Sequence, residues 1–193
     1  MRREDVFLWV IGGSAGSFTP TRNFLQQMPY KENVAIVLCL HRLRNIRMNM
    51  AEAIGKVQRW HILEPDDKTL ITGGKVYIAP ADYHLLVERE GYFSLSVDEP
   101  VNFSRPSIDV LLESIVQARW ARAGAALLSG ANCDGALGML KMHQAGYFTA
   151  VQLPTDAEIP TMPEAALALF KPTCQFSANE LVQVCLRALS LYT

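Results

Sequence analysis

Residues Phe7 to Ile11 form an unbroken apolar run that stops abruptly at Gly12-Gly13-Ser14-Ala15-Gly16-Ser17. An apolar run followed at once by small residues and then by a helical pattern is how a buried parallel strand hands the chain to a tight turn. The spacing G-x-S-x-G around Ser14 gives the backbone the freedom that a sharp strand-to-helix corner needs. Such a corner exposes a hydroxyl at the carboxyl edge of a sheet. A serine placed there is either a nucleophile or part of a phosphate-binding or merely tight βα turn.

The rest of the chain repeats the alternation. After the strand Val6 to Ile11 comes a helix opened by Thr19 as cap with Pro20 in its first turn, then a second strand, Val34 to Leu40, that is apolar throughout and ends at His41. The middle is different in kind: Pro65-Asp66-Asp67, Gly73-Gly74, Pro80 and Gly91 divide short β-rich pieces at Lys75 to Ala79, Leu85 to Arg89 and Tyr92 to Val97. These predict tight turns, with an antiparallel hairpin around Glu90-Gly91. Helical spacing returns at Ile108, Leu111, Leu112 and Ile115, followed by a strand Ala123 to Leu128, a helix through Leu137, Leu140 and Met142, a strand Phe148 to Gln152, a helix from about Pro163, and a last helix announced by the capping box Ser177-x-x-Glu180. The pattern predicts one doubly wound, three-layer α/β/α domain over residues 1–193, with a mainly parallel sheet and a small antiparallel excursion. Ligands of such sheets bind at the carboxyl ends of the strands.

Composition narrows the function classes. With 193 residues, 50 % of them hydrophobic, the chain is long enough to bury a full core, and a formal net charge of −1 lacks the basic excess of a nucleic-acid binder. The four cysteines, at 39, 133, 174 and 185, contain no C-x-x-C pair, so neither a zinc site nor a disulfide framework is indicated. No secretory signal is evident after Met1-Arg2-Arg3-Glu4-Asp5, and the longest apolar run, Val34 to Leu40, is too short for a bilayer. These features point to a cytoplasmic protein with no integral membrane segment.

Three strand ends each carry one chemically competent residue: Ser14, His41 and, beyond Ala123 to Leu128, Asp134. They are the types of an acyl-transfer triad, in which an imidazole takes the proton of a serine and a carboxylate orients the imidazole. The order Ser, His, Asp differs from that of ordinary α/β-hydrolases, so that fold is not imported with the motif. Each residue also has a plain structural alternative: His41 as a polar end to a buried strand, Asp134 as a helix N-cap before Gly135. His61, His84 and His143 read as structural or solvated, and Cys133 lacks a histidine placed to activate it. Arg42, Arg44 and Arg47 make the stretch beyond His41 locally basic, which reads as a solvated loop or, if His41 is catalytic, as the substrate rim of its site. Nucleotide binding by Gly12 to Ser17 is the rival from another class, but there is no G-K-[ST], no G-x-G-x-x-G, and no acid ending the second strand.

With these residues in place, the chain resembles the catalytic domain of the CheB protein-glutamate methylesterases over nearly its whole length. The similar segments, in order, are Ile11-Gly12-Gly13-Ser14-Ala15-Gly16, the strand ending in His41, Val76-Tyr77-Ile78-Ala79-Pro80 with His84-Leu85, Asp98-Glu99-Pro100-Val101-Asn102 with Arg105-Pro106-Ser107-Ile108-Asp109-Val110-Leu111, Leu128-Ser129-Gly130-Ala131-Asn132-Cys133-Asp134-Gly135-Ala136-Leu137-Gly138, and Met162-Pro163. The resemblance implies a Ser14, His41, Asp134 triad that hydrolyses glutamyl methyl esters on chemoreceptors, deamidates receptor glutamines by the same acyl transfer, and needs no metal or organic cofactor. It implies an oxyanion and substrate shell around Ala15, Ala131, Asn132 and Met162. It further implies a methylated receptor or signalling protein as partner, with a separate receiver protein or methyltransferase, because the chain begins directly at the catalytic strand where the chemotaxis enzyme carries a receiver domain. The chain departs from the family at Ala15, commonly threonine, at Ala131-Asn132 in place of Met-Gly, and at Arg42-Leu43-Arg44-Asn45 in place of a Met-Pro opening. A catalytically weak binding module in a signalling complex and a phosphate- or nucleotide-binding domain are the alternatives.

Overall fold

The computed structural model of the chain describes residues 3–41, 50–55, 57 and 59–192. Strand β1 (Phe7–Gly13) is buried at every position, so it runs through the centre of a sheet covered on both faces. Because successive side chains alternate, Leu8 and Val10 enter one core while Phe7, Trp9 and Ile11 enter the other. The helix that follows, α1 (Phe18–Gln27), starts from Ser17 as N-cap instead of Thr19, and it returns the chain to β2 (Val34–Leu40), which lies parallel to β1 with Gly13 opposite Leu40.

Beyond a short helix α2 (Met50–Ile54), strands β3 (His61–Leu63) and β4 (Lys75–Ile78) extend the sheet on the β2 side. β5 (His84–Val87) and β6 (Phe93–Ser96) form a separate antiparallel hairpin, as the Glu90-Gly91 turn predicts. The chain then recrosses through α3 (Ile108–Gln117) to β7 (Ala123–Leu127), which pairs with the opposite edge of β1. Helix α4 (Ala136–Gln144), β8 (Phe148–Gln152), α5 (Thr161–Leu169), β9 (Cys174–Phe176) and α6 (Leu181–Ser190) complete the order, and the Ser177/Glu180 capping box closes a single 3-10 turn that feeds α6.

The main sheet has seven parallel strands in the order β3-β4-β2-β1-β7-β8-β9. One face is covered by α3, α4 and α5 together with Leu85, Val87 and Phe93 of the hairpin; the other is covered by α1 and α6. This is the doubly wound, three-layer arrangement that the sequence predicts. Its winding reverses between β1 and β7, and that reversal opens a crevice at the carboxyl ends of the strands. No helix among the described residues is long and apolar enough to cross a membrane.

Helices α3 and α4 approach closely at Gly138, where an added Cβ would lie 2.8 Å from Leu112 Cβ and 3.1 Å from Asp109 Cα. The second contact is backbone and cannot step aside. Gly138→Ala should therefore cost about 1–3 kcal/mol, seen as a lower urea midpoint with an unchanged m-value.

Candidate active site

Ser14 follows β1 directly. Its N–H donates to Ser129 O (2.9 Å), and its carbonyl accepts from Ser17 N–H (3.0 Å) and Ser17 Oγ–H (2.5 Å), so the turn is closed from both sides. Gly16 completes the corner at φ +84, a conformation that L side chains resist. The loop after β7 packs against this corner: a Cβ on Gly130 would lie 3.0 Å from Ser14 Cβ, and Ser129 Oγ donates to Ala15 O (2.8 Å). Two of the turn's N–H groups, those of Ser14 and Ser17, are thus spent inside the protein instead of facing a phosphate.

His41 continues β2 by one residue, its N–H donating to Gly13 O (3.0 Å), which sets it beside the corner that carries Ser14. Its Nε2 lies 2.7 Å from Asp134 Oδ2, with the imidazole 12 % and the carboxylate 0 % exposed. Nδ1 faces Ser104 Oγ at 3.3 Å, and among the described residues it is this hydroxyl, not that of Ser14, that lies within hydrogen-bond reach of the ring.

Asp134 is the most densely held side chain of the site. Oδ2 accepts from His41 Nε2 and from Ile108 N–H (2.7 Å); Oδ1 accepts from Ser107 Oγ–H (2.7 Å), Asp109 N–H (3.2 Å) and Asn102 Nδ2 (3.3 Å). Ile108 and Asp109 are the first two residues of α3, so the carboxylate sits on the positive end of that helix. Burial alone would raise its pKa; the hydrogen bonds from His41, Ile108 and Ser107 outweigh burial and hold it below the ordinary carboxylate value. An ionised Asp134 accepts only, so the proton between the two residues belongs to Nε2 of His41, and Nδ1 is left as the basic atom. The helix-cap alternative for Asp134 is corrected in an informative way. Gly135, at φ +90, is the N-cap of α4, and the Asp134 carboxylate turns instead to the start of α3.

Supporting this pair are Ser107, Asn102 and Asp109, to which the sequence pattern assigns no individual role, and His84, which it reads as structural or solvated. Ser107 caps α3 through Val110 N–H (3.4 Å) while donating to Asp134. Its own N–H is accepted by His84 Nδ1 (3.2 Å), which leaves Nε2–H of His84 to donate to Glu99 O (3.1 Å); the buried His84 is thus a structural brace. Asn102 Nδ2 bridges Asp134 to a second buried carboxylate, Asp109 (2.9 Å), whose Oδ1 accepts from Gly138 N–H (2.6 Å). Burial, with the charges of Asp134 and Glu113 adding to it, raises the Asp109 pKa to about 6 against those two hydrogen bonds. The available signal was Ser107-x-Asp109 at the head of an otherwise apolar helix, where polar residues are expected to face inward only for a reason.

The remaining expected residues divide. Asn132 donates to Asn102 O (3.2 Å) and Ser104 Oγ (3.2 Å) and accepts from Asp134 N–H (3.2 Å), so it braces the loop. Met162 is fully buried and lies behind Gly130, to whose carbonyl its N–H donates (3.0 Å); it backs the site from beneath. Ala15 and Ala131 are exposed beside Ser14. Arg42 and Arg44 lie outside the described residues. His61 opens β3 on an exposed position, His143 packs on Phe170 in α4, and the exposed Cys133 has Sγ 3.8 Å from Asn102 Oδ1. No cluster of three or more metal-binding side chains occurs among the described residues.

The two buried carboxylates predict opposite pH dependences. Asp134, lowered in the folded chain, adds stability that is present above about pH 4 and lost as pH falls further. Asp109 has its folded pKa raised from 3.8 to about 6, so its protonated form favours folding below the lower value and that contribution is lost as pH rises through the upper one. Urea titrations between pH 4 and 7 should show the stability of wild type relative to Asp109→Asn falling by roughly 2–3 kcal/mol. A flat difference would contradict the assignment. Ser107→Ala removes both a cap and a donor to Asp134, and should cost about 1–2 kcal/mol.

The family model for the CheB methylesterases matches residues 9–184. A protein of Leptospira interrogans is 35 % identical over 178 residues, covering 92 % of each chain. A Hahella chejuensis protein named protein-glutamate methylesterase/protein-glutamine glutaminase 1 is 39 % identical over 165 residues, and a similarly named Salmonella typhi protein is 33 % identical over 163. The chain spans only 45 % and 46 % of the lengths of those two. Among solved structures, the Thermotoga maritima CheB methylesterase catalytic domain superimposes with a TM-score of 0.86 at 21 % identity, over 96 % of this chain and 98 % of that one, and so shares the fold. A seven-stranded doubly wound sheet, a serine corner and a buried His–Asp pair at its switch point meet a family match across the same residues: the chain belongs to the CheB methylesterase family.

Proposed function

We propose that this chain is one catalytic domain that hydrolyses methyl esters of protein glutamyl side chains, such as those of chemoreceptors, through Ser14, His41 and Asp134. The observation that carries the reading is the 2.7 Å contact of His41 with a carboxylate held by four further donors, directly beside the Ser14 corner. With Nε2–H committed to Asp134, Nδ1 takes the proton of Ser14 as the serine oxygen attacks the ester carbonyl. Ser104 Oγ, at 3.3 Å, is a long and weak partner that gives way to the serine when substrate brings the site together. The imidazolium formed is stabilised by Asp134. It then protonates the departing methoxide, releasing methanol, and the same nitrogen activates water against the glutamyl-enzyme to give glutamate and regenerate Ser14.

The oxyanion of each tetrahedral intermediate needs backbone donors near Ser14. The Ala15 N–H, which donates to none of the described residues, supplies one, and such a donor lowers the barrier by about 3 kcal/mol. A glutamine side chain enters the same sequence with ammonia as leaving group, which makes deamidation the companion reaction. A methyl ester on glutamate has to be installed first, so a protein methyltransferase is the partner reaction this activity presupposes.

Methanol release from a methyl-esterified receptor tests the reading. Ser14→Ala and His41→Ala should each lower the rate by several orders of magnitude, and the double variant should lose little more, because the two act as one unit. Additive losses, or release that persists without Ser14, would refute it. Asp134→Asn should lower the rate by about 10²-fold or more. It should also destabilise the fold by about 1–3 kcal/mol, since its amide group would face donors.

A further inference from the structure

Phe103 is 100 % exposed, more than any other large hydrophobic residue of the described chain. Its backbone is left-handed, φ +62, immediately after Asn102 at φ +50. A bulky residue in that region is uncommon and strained, and burial of the ring does not compensate here. What holds the turn is the polar network of the site. Val101 and Ser104 exchange both backbone hydrogen bonds (3.2 and 2.9 Å), and Asn102 Nδ2 donates to Asp109 and Asp134. The Asn102 carbonyl accepts from Asn132, and Ser104 Oγ meets His41 Nδ1 at 3.3 Å. One residue from that contact, the Phe103 Cα lies within about 10 Å of the His41 ring. Val97 and Val101, 68 % and 37 % exposed, add apolar surface on the same connection.

We infer that Phe103 is a recognition residue for the protein substrate: on the esterase reading above, it contacts an apolar side chain of the polypeptide flanking the esterified glutamyl residue. A glutamyl methyl ester is small, uncharged and the same at every position, so discrimination among such esters has to come from the surface around them. An aromatic ring already fixed in direction buries apolar area on contact at little ordering cost.

Two substrates separate recognition from a structural role. One is N-acetyl-glutamate γ-methyl ester amide, which has no flanking polypeptide; the other is a chemoreceptor preparation carrying glutamyl methyl esters. Phe103→Ala should lower kcat/KM at least fivefold on the receptor, chiefly through KM, and change it less than twofold on the small ester. Phe103→Gly, which relieves the φ +62 strain, should give the same kinetics with a Tm equal to or above that of wild type. Equal losses on both substrates, or no loss on the receptor, would overturn the inference. Binding of the esterified receptor to the Ser14→Ala protein reads the same contact without turnover: adding Phe103→Ala should weaken it at least fivefold, and unchanged affinity would overturn it. A wild-type protein that released no methanol would sink the esterase reading instead, and the binding comparison would still decide the role of Phe103.

Discussion

A buried carboxylate at a helix N-terminus organises this molecule's functional end. Asp134 leaves water completely, and ionised burial of that kind is tolerable only with its lone pairs filled. Five donors fill them, and they come from four separate places: the β2 end, the 102–104 turn, the first residues of α3, and Ser107 before that helix. Each donor is therefore positioned by the carboxylate as much as it stabilises it. The cost of withdrawing one donor is high because the charge stays behind.

That arrangement explains why polar residues gather beneath an otherwise apolar face. Asp109 lies close enough to Asp134 for the two charges to repel, and Asn102 answers by donating to both. Asn132, Ser104 and His84 then satisfy the groups that this bridge leaves open. The result is a connected network in which the His41 imidazole, the Asp134 carboxylate and the exposed 102–104 turn share partners, so the imidazole and the surface beside it are set by the same hydrogen bonds.

The sheet supplies the remaining alignment. Parallel register brings Gly13 opposite Leu40 and Gly12 opposite Leu127, so the three strands end together and their following residues meet at the reversal of winding. Ser14 and His41 occupy equivalent steps on neighbouring strands, and the loop after β7 closes over the corner through Ser129 and Gly130.

Much of this was legible in the chain itself. The uninterrupted apolar runs at Phe7–Ile11 and Val34–Leu40 declare buried parallel strands, and the small residues after Ile11 declare a sharp corner, because local sterics and periodicity act over a few residues. Ser14, His41 and Asp134 stand out for the same reason, each a reactive type placed just beyond an apolar strand. What no local pattern carries is pairing between distant segments. That Asp134 serves the start of α3 instead of α4, that Nδ1 of His41 meets Ser104, and that Asn102 reaches Asp134 are decided only when segments some 25 to 63 residues apart are packed together. The sequence by itself determined the strands, the corner and the reactive residue types, since those follow from hydrophobic period and backbone freedom. The tertiary structure decided which proton sits on which nitrogen and what holds it there, because hydrogen bonds between remote residues depend on where the fold puts them.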